Sequence, residues 1–227
     1  MMRTNTLSLV LVFSAFLSSS CLSAEATWRA GVAKVNITPS EFMWMSGYGG
    51  RDHPAEGKLT DLWAKALVLE AADGQRALLL TLDLVGISAE LSNQVCEKLA
   101  KSQGLKRSQI AFCTSHTHTG PVVQGNLVPL HYLQVDRNQQ ILVEQYGQKL
   151  VKQLVEISAK AIAGLKPADV AWGSGKATFA VNRRNNKEAK VPELRQQGKL
   201  VGPVDHDAPD PSQDRHGRTP VRECGLH

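Results

Sequence analysis

The segment Cys113-Thr114-Ser115-His116-Thr117-His118-Thr119-Gly120-Pro121 holds the densest chemistry in this 227-residue sequence. Ahead of the histidines, Ile110 to Thr114 is a short apolar run that reads as a buried strand. It delivers His116 and His118, spaced i and i+2, into a glycine-proline turn. In extended backbone that spacing puts both imidazoles on one side, where they can share a metal ion or a substrate. Neutral imidazole is a common zinc ligand, and a catalytic zinc takes three protein ligands and keeps one position open. A His-x-His pair alone is a weak signal, because histidines also satisfy buried backbone groups.

The remaining candidates are thinner. The glycine-rich stretch around Gly47 reads GYGGRDH, which is not a dinucleotide-binding fingerprint. It is either a plain turn or a place where backbone approaches a ligand. Asp83 ends an apolar run, where it can orient a histidine or serve the backbone. His53, His131 and His206 read as surface or loop histidines, and Asp205 and Asp207 as carboxylates that pin a turn. Arg183 sits in a basic stretch with Arg184, Lys187, Lys190, Arg195 and Lys199. It is either a solvated charge or a fixed cation with several donors for a polarised oxygen.

These residues need a scaffold, and the patterning supplies one. Trp28 to Ile37 suggests a strand, stopped at Thr38-Pro39-Ser40. Leu62 to Ala71 and Arg76 to Val85 are apolar runs joined through Asp73-Gly74, a strong hairpin signal. Ser88 caps a helix running to about Gln103, with Leu91, Val95 and Leu99 on one face and Gly104 at its stop. The longest helix spans Gln139 to Leu165, with Val143, Leu150, Leu154, Ile157 and Ala161 on its apolar stripe. Lys166-Pro167 ends it, and Val170 to Val181 reads as a further strand. Hairpin, helix, strand, helix, strand implies an α/β domain with a mixed β-sheet and packed helices.

The ends are different in kind. Arg3 followed by the apolar Leu7 to Leu17 is too short to span a bilayer, and Ala24-Glu25-Ala26 is a signal-peptidase site. Residues 1–26 are therefore expected to be a signal peptide, and the mature product to be secreted or periplasmic. Export leaves about 200 residues, enough for one domain with a core. A net charge of +5 favours anionic surfaces such as membranes, with no motif for nucleic acid. Cys96 and Cys113 read as two buried thiols or as one bridge. From residue 210 to 227 the apolar period fails, as in a disordered polar tail or a frameshifted gene end.

The flanks of the histidine pair narrow the field. A metallo-β-lactamase pattern would continue with an Asp-His pair, and an amidohydrolase barrel would carry His-x-His on its first strand. Instead, Ser115-His116-Thr117-His118-Thr119-Gly120-Pro121 resembles the Thr-His-Thr-His-Ser-Gly-Pro loop of the neutral/alkaline non-lysosomal ceramidase family. Gly31 to Pro39 is similar to that family's opening G-x-x-x-x-D-I-T-P strand, with Asn36 in place of Asp. Met45-Ser46-Gly47-Tyr48, Asn182-Arg183 and the segment from Gly202 to Asp207 are similar to its later motifs. The likeness runs from Thr27 to about Pro209.

The resemblance implies an incomplete N-terminal catalytic domain of a zinc-dependent amide hydrolase, cleaving an N-acylsphingosine into a fatty acid and a sphingoid base. It assigns His116 to zinc and His118 and Arg183 to a lipid-like N-acyl substrate, met at a membrane surface. The family's second zinc histidine, nucleophilic serine, and zinc-site Glu and Tyr would lie beyond Pro209. The chain alone is therefore expected to be inactive. Two other readings stay open: an exported binding module without catalysis, and a hydrolase of another N-acyl or ester substrate.

Overall fold

The computed structural model describes residues 28–171 and 173–210. The expected signal peptide and the residues from 211 onward lie outside that range. Three antiparallel strands open the fold: β1 (Trp28–Asn36), β2 (Trp63–Ala71) and β3 (Arg76–Leu82). The hairpin β2–β3 turns at Asp73-Gly74 as expected, with Glu70 opposite Arg76. Helix α1 (Ala89–Gln103) follows, its Ser88 hydroxyl accepting from the Leu91 N–H and Gly104 closing it in the left-handed region. Next come β4 (Ile110–Thr114) and the long α2 (Arg137–Ala163). Asp136 caps α2 through the Gln139 N–H, so the helix starts two residues before the expected Gln139.

The sheet order is β4-β3-β2-β1-β5, where β5 is Lys166–Ala168. Only β3 and β4 run parallel, as expected of a strand reached through a crossover helix. The mixed sheet is thus the one anticipated, and both helices cover a single face of it. Leu91, Val95 and Leu99 of α1 and Val143, Leu150, Leu154, Ile157 and Ala161 of α2 are all buried. They meet Ala64, Ala66 and Val68 from β2 and Leu78, Leu80 and Leu82 from β3. Each large apolar side chain so buried contributes about 1.5–3 kcal/mol. Gly31 lets α2 approach β1: a Cβ there would lie 2.0 Å from the Ala161 carbonyl oxygen.

Several expectations need correction. Strand β4 is an edge strand among the described residues, and Ala111 and Cys113 are exposed because they alternate onto the face opposite the buried Ile110. Cys113 is accordingly an exposed free thiol and Cys96 a buried one; no bridge joins them. Lys166-Pro167 does not merely end α2 but starts β5, pairing with Trp28 to Ala30. Of the run from Val170 to Val181 the described residues form only β6 (Gly173–Lys176), whose glycines, Ser174 and Lys176 offer no apolar face to bury. Its partner β7 (Asp207–Asp210) forms where the apolar pattern fails, because backbone pairing needs no apolar period. A short helix, α3 (Val191–Gln196), stands between them with a proline in its first turn.

Candidate functional site

The two histidines follow β4 directly, where the Ser115 N–H still donates to the Leu82 carbonyl, 2.9–3.0 Å being the usual N–H···O length. Then the backbone leaves the extended region: His116 has φ 56°. Side chains rarely adopt this conformation, and where they do it often marks a functional site. Alternation along a strand therefore does not bring the imidazoles together, as the spacing suggested; a turn does. The ring centroids are 5.0 Å apart with planes at 69°. His116 Nδ1 lies 2.7 Å from the Val85 carbonyl oxygen, so Nδ1 carries the proton and Nε2 keeps its lone pair.

His118 is held from three directions. The Arg51 guanidinium donates to its carbonyl oxygen. The Tyr48 ring packs edge-on against its imidazole, centroids 4.6 Å apart, and Arg51 lies over the Tyr48 ring. Gly47 presses on the same imidazole: its φ is 106°, and a Cβ there would sit 2.3 Å from His118 Cγ. The turn-or-approach choice at Gly47 is thus resolved as a close approach, to a side chain of the protein itself.

His131 does not behave as a loop histidine. It is 1% exposed, and its Nε2 accepts from the Gly47 N–H at 2.9 Å. Burial, and then the Arg51 cation, hold its pKa below the ordinary histidine value, so the ring is neutral with the proton on Nδ1. The sequence carried no sign of this, because residues 124–135 have no period and the partner is a backbone amide 84 positions away. Arg51 was equally hidden, inside a loop notable only for its glycines. Ser46 Oγ, Arg51 Nε and His118 Nδ1 are buried without a hydrogen-bond partner among the described residues.

Two elements steady this cluster. The Ser46 N–H donates to the Gly120 carbonyl and the Val122 N–H to Trp44, stitching the glycine-rich loop to the turn after His118. Gln139, in the first turn of α2, accepts from the Trp44 N–H at 2.8 Å. Asp83 accepts from the Trp63 N–H at 2.9 Å, a backbone duty. Asp205 pins a turn through the Asp207 N–H at 2.9 Å. Arg183 is elsewhere. Its guanidinium pairs with Glu188 on an exposed loop, and Asn182 closes that loop by accepting from the Arg184 and Asn185 N–H groups. His53 is exposed beside Asp52. Among the described residues, no three His, Cys, Asp or Glu side chains are close enough to hold a metal ion. No helix among them is long and apolar enough to cross a membrane.

A five-stranded mixed sheet that ends in a histidine turn, with one ring oriented by a backbone carbonyl, defines an α/β scaffold. More particularly, residues 28–193 match the family model for neutral/alkaline non-lysosomal ceramidase, N-terminal, and the chain belongs to that family. It is 28% identical over 173 residues to the neutral ceramidase of Pseudomonas aeruginosa, covering 74% of this chain and 25% of the relative. It is 30% identical over 117 residues to that of Drosophila melanogaster, covering 49% and 16%. Among solved structures, a ceramidase complexed with C2 matches with a TM-score of 0.65 at 24% identity. The P. aeruginosa neutral ceramidase matches with 0.63, and in both cases 86% of this chain overlies 30% of the other. The chain thus spans a quarter or less of the length of the curated relatives it matches.

Proposed function

We propose that this chain forms part of a zinc-dependent amide hydrolase acting on N-acylated sphingoid bases, with His116 as a zinc ligand and His118 and Arg183 meeting the substrate. The observation that carries the reading is the hydrogen bond from His116 Nδ1 to the Val85 carbonyl. It fixes the tautomer and leaves Nε2 free to ligate, which is how metal-binding histidines are commonly oriented. Membership of the ceramidase family supports the substrate class. In the reaction, water is added across the amide: the acyl carbon gains the hydroxyl, the nitrogen gains the proton, and the C–N bond breaks.

The described residues fit one zinc ligand and no more. A catalytic zinc takes about three protein ligands, and no group of three donors is assembled here. When bound, zinc would polarise the amide carbonyl and lower the pKa of a water. The protein's own part is positional: Arg51, Tyr48 and Gly47 hold His118 beside His116, with its Nδ1 left for a polar partner. Export and a lipid-bearing surface belong to the same reading, supported by the short apolar N-terminus and the charge of +5.

The test is a chimera in which residues 28–193 replace the matching segment of the P. aeruginosa neutral ceramidase. His116→Ala should lose bound zinc and turnover together. His118→Ala should keep zinc, by elemental analysis, and lose release of fatty acid from ceramide. Equal zinc retention in both variants overturns the assignment. The 227-residue chain alone is expected to show neither stoichiometric zinc nor turnover.

A further inference from the structure

His118 Nδ1 and Arg51 Nε are both buried, and neither has a hydrogen-bond partner among the described residues. The first is a ring nitrogen that donates or accepts according to its tautomer, and the second can only donate. We propose that Arg51 is a positioning residue for the reaction. Its Nε–H hydrogen-bonds to His118 Nδ1, which puts the His118 proton on Nε2 and makes that imidazole a donor to the substrate. This assignment rests on the ceramidase reading for the substrate and on the packing around His118 for the tautomer.

Arg51 Nη2 already donates to the His118 carbonyl oxygen. In a guanidinium the Nη2–H and Nε–H project in parallel from one edge, so a second donor faces the residue that the first one holds. The guanidinium is fixed in orientation by the Tyr48 ring, over which it lies 5.5 Å from the centroid. Tyr48 packs edge-on against the His118 imidazole, and the Gly47 backbone presses on it at Cγ, so the ring cannot swing away. Other partners are spoken for. Asp52, the carboxylate next to Arg51 in sequence, turns to His53, and the His131 Nε2 lone pair takes the Gly47 N–H. An Nδ1–H on His118 would set two donors face to face, and each would stay buried without an acceptor. The Ser46 hydroxyl, also buried and unpartnered, is the rival donor. It too would leave the lone pair on Nδ1, but no second hydrogen bond aims it at His118.

The two imidazoles then carry opposite tautomers. His116 keeps its proton on Nδ1 for the Val85 carbonyl and offers a lone pair at Nε2. His118 has its one lone pair engaged at Nδ1 and offers a proton at Nε2. A metal ion takes the first, and an oxygen acceptor of the substrate takes the second. The division of roles between residues two positions apart thus comes from one carbonyl and one guanidinium.

The purified 227-residue chain, isotopically labelled at its histidine and arginine nitrogens, tests the bond by NMR without turnover. At about pH 8.5, above the ordinary histidine value of about 6.5, a nitrogen–nitrogen coupling should run from Arg51 Nε to His118 Nδ1. The Arg51 Nε–H should exchange with water about tenfold more slowly than that of the exposed Arg137. Both are read in the unaltered chain and need no variant that folds. Arg51→Lys keeps a cation for the carbonyl but has no parallel second donor, so the His118 Nδ1 and Nε2 shifts should move toward a mixture of tautomers. A His118 Nδ1 that carries the proton, or that shows no coupling to Arg51, overturns the proposal. Shifts that move in Ser46→Ala and not in Arg51→Lys give Nδ1 to the hydroxyl and overturn it as well. In the chimera, Arg51→Lys should lower kcat for ceramide about tenfold or more, as loss of one oriented donor does, while KM and bound zinc stay close to unaltered. An unchanged kcat there overturns the positioning role. The coupling present in the chain, with no ceramide hydrolysis by the unaltered chimera, sinks the ceramidase reading and leaves the bond standing. Hydrolysis without the coupling does the reverse.

Discussion

Two irregular loops carry the side chains singled out for function, and they are made in opposite ways. The turn bearing His116 and His118 is clamped by Val85 and by the loop from Trp44 to Arg51, which His131 and the first turn of α2 hold in their turn. The loop bearing Arg183 is held by Asn182 and Asn186, which reach across to Pro203 and Val201, but its guanidinium itself meets only the exposed Glu188 among the described residues. In the first, the surroundings fix the geometry before any ligand arrives. In the second, the guanidinium keeps its freedom, and a substrate or another part of a longer relative would have to fix it. Preorganisation of this kind separates a site that can hold a reacting group from one that can only attract it.

The strongest way to break the contrast is Gly47→Val. The left-handed φ of 106° and the 2.3 Å approach to the His118 ring exclude a branched side chain. Backbone strain and overpacking together should cost about 3 kcal/mol, read as a lower urea midpoint. Loss of the His118–Tyr48 ring contact should accompany it, visible in the imidazole proton shifts. A midpoint equal to that of the unaltered chain would show that the loop is not clamped.

The next effect is smaller and pH-dependent. His131→Ala leaves the part-buried Gly47 N–H without its acceptor, a loss of about 1 kcal/mol. His131→Gln, whose side-chain carbonyl can accept the same N–H, should recover most of it. Folding holds the His131 pKa down, so as pH falls the unfolded chain takes up this proton first. Its contribution is complete above the ordinary value of about 6.5 and is lost progressively below it. Urea midpoints from pH 7.5 to 5 should therefore fall less steeply in His131→Gln. Equal slopes would mean that His131 titrates as in the unfolded chain.

How much of this was legible follows from where each signal resides. The helices α1 and α2 and the hairpin were readable because their apolar periods match one buried face, and caps at Ser88 and Gly104 marked ends. The histidine pair was readable because both residues share one local segment. His131 and Arg51 were not, since each acts on backbone 84 and 67 positions distant, and a hydrogen bond to an amide leaves no pattern. Strands β5, β6 and β7 were misplaced for a related reason: they are short and held by backbone pairing, which leaves no apolar period. The exposure of Ala111 and Cys113 could not be read from Ile110 to Thr114, because apolar content does not say whether both faces of a strand are covered.

Arg183→Ala should produce the smallest change in folding and a selective change in function. Its side chain is 56% exposed and its partner Glu188 77%, and ion pairs in water add little because solvent and salt screen them. The urea midpoint of the 227-residue chain should not move measurably, and 0.5 M salt should not alter that result. Function is expected to respond differently. In the chimera with the P. aeruginosa enzyme, the guanidinium is assigned to hold a polar group of the substrate, a contact made before and during reaction. Its removal should raise KM for ceramide several-fold while kcat falls less, with zinc content unchanged. Arg183→Lys should restore only part of the loss, because an ammonium keeps the charge without the planar fork of donors. If KM stays the same in both variants, the exposed loop is a solvated surface, and the assignment of Arg183 to the substrate fails while that of His116 and His118 stands.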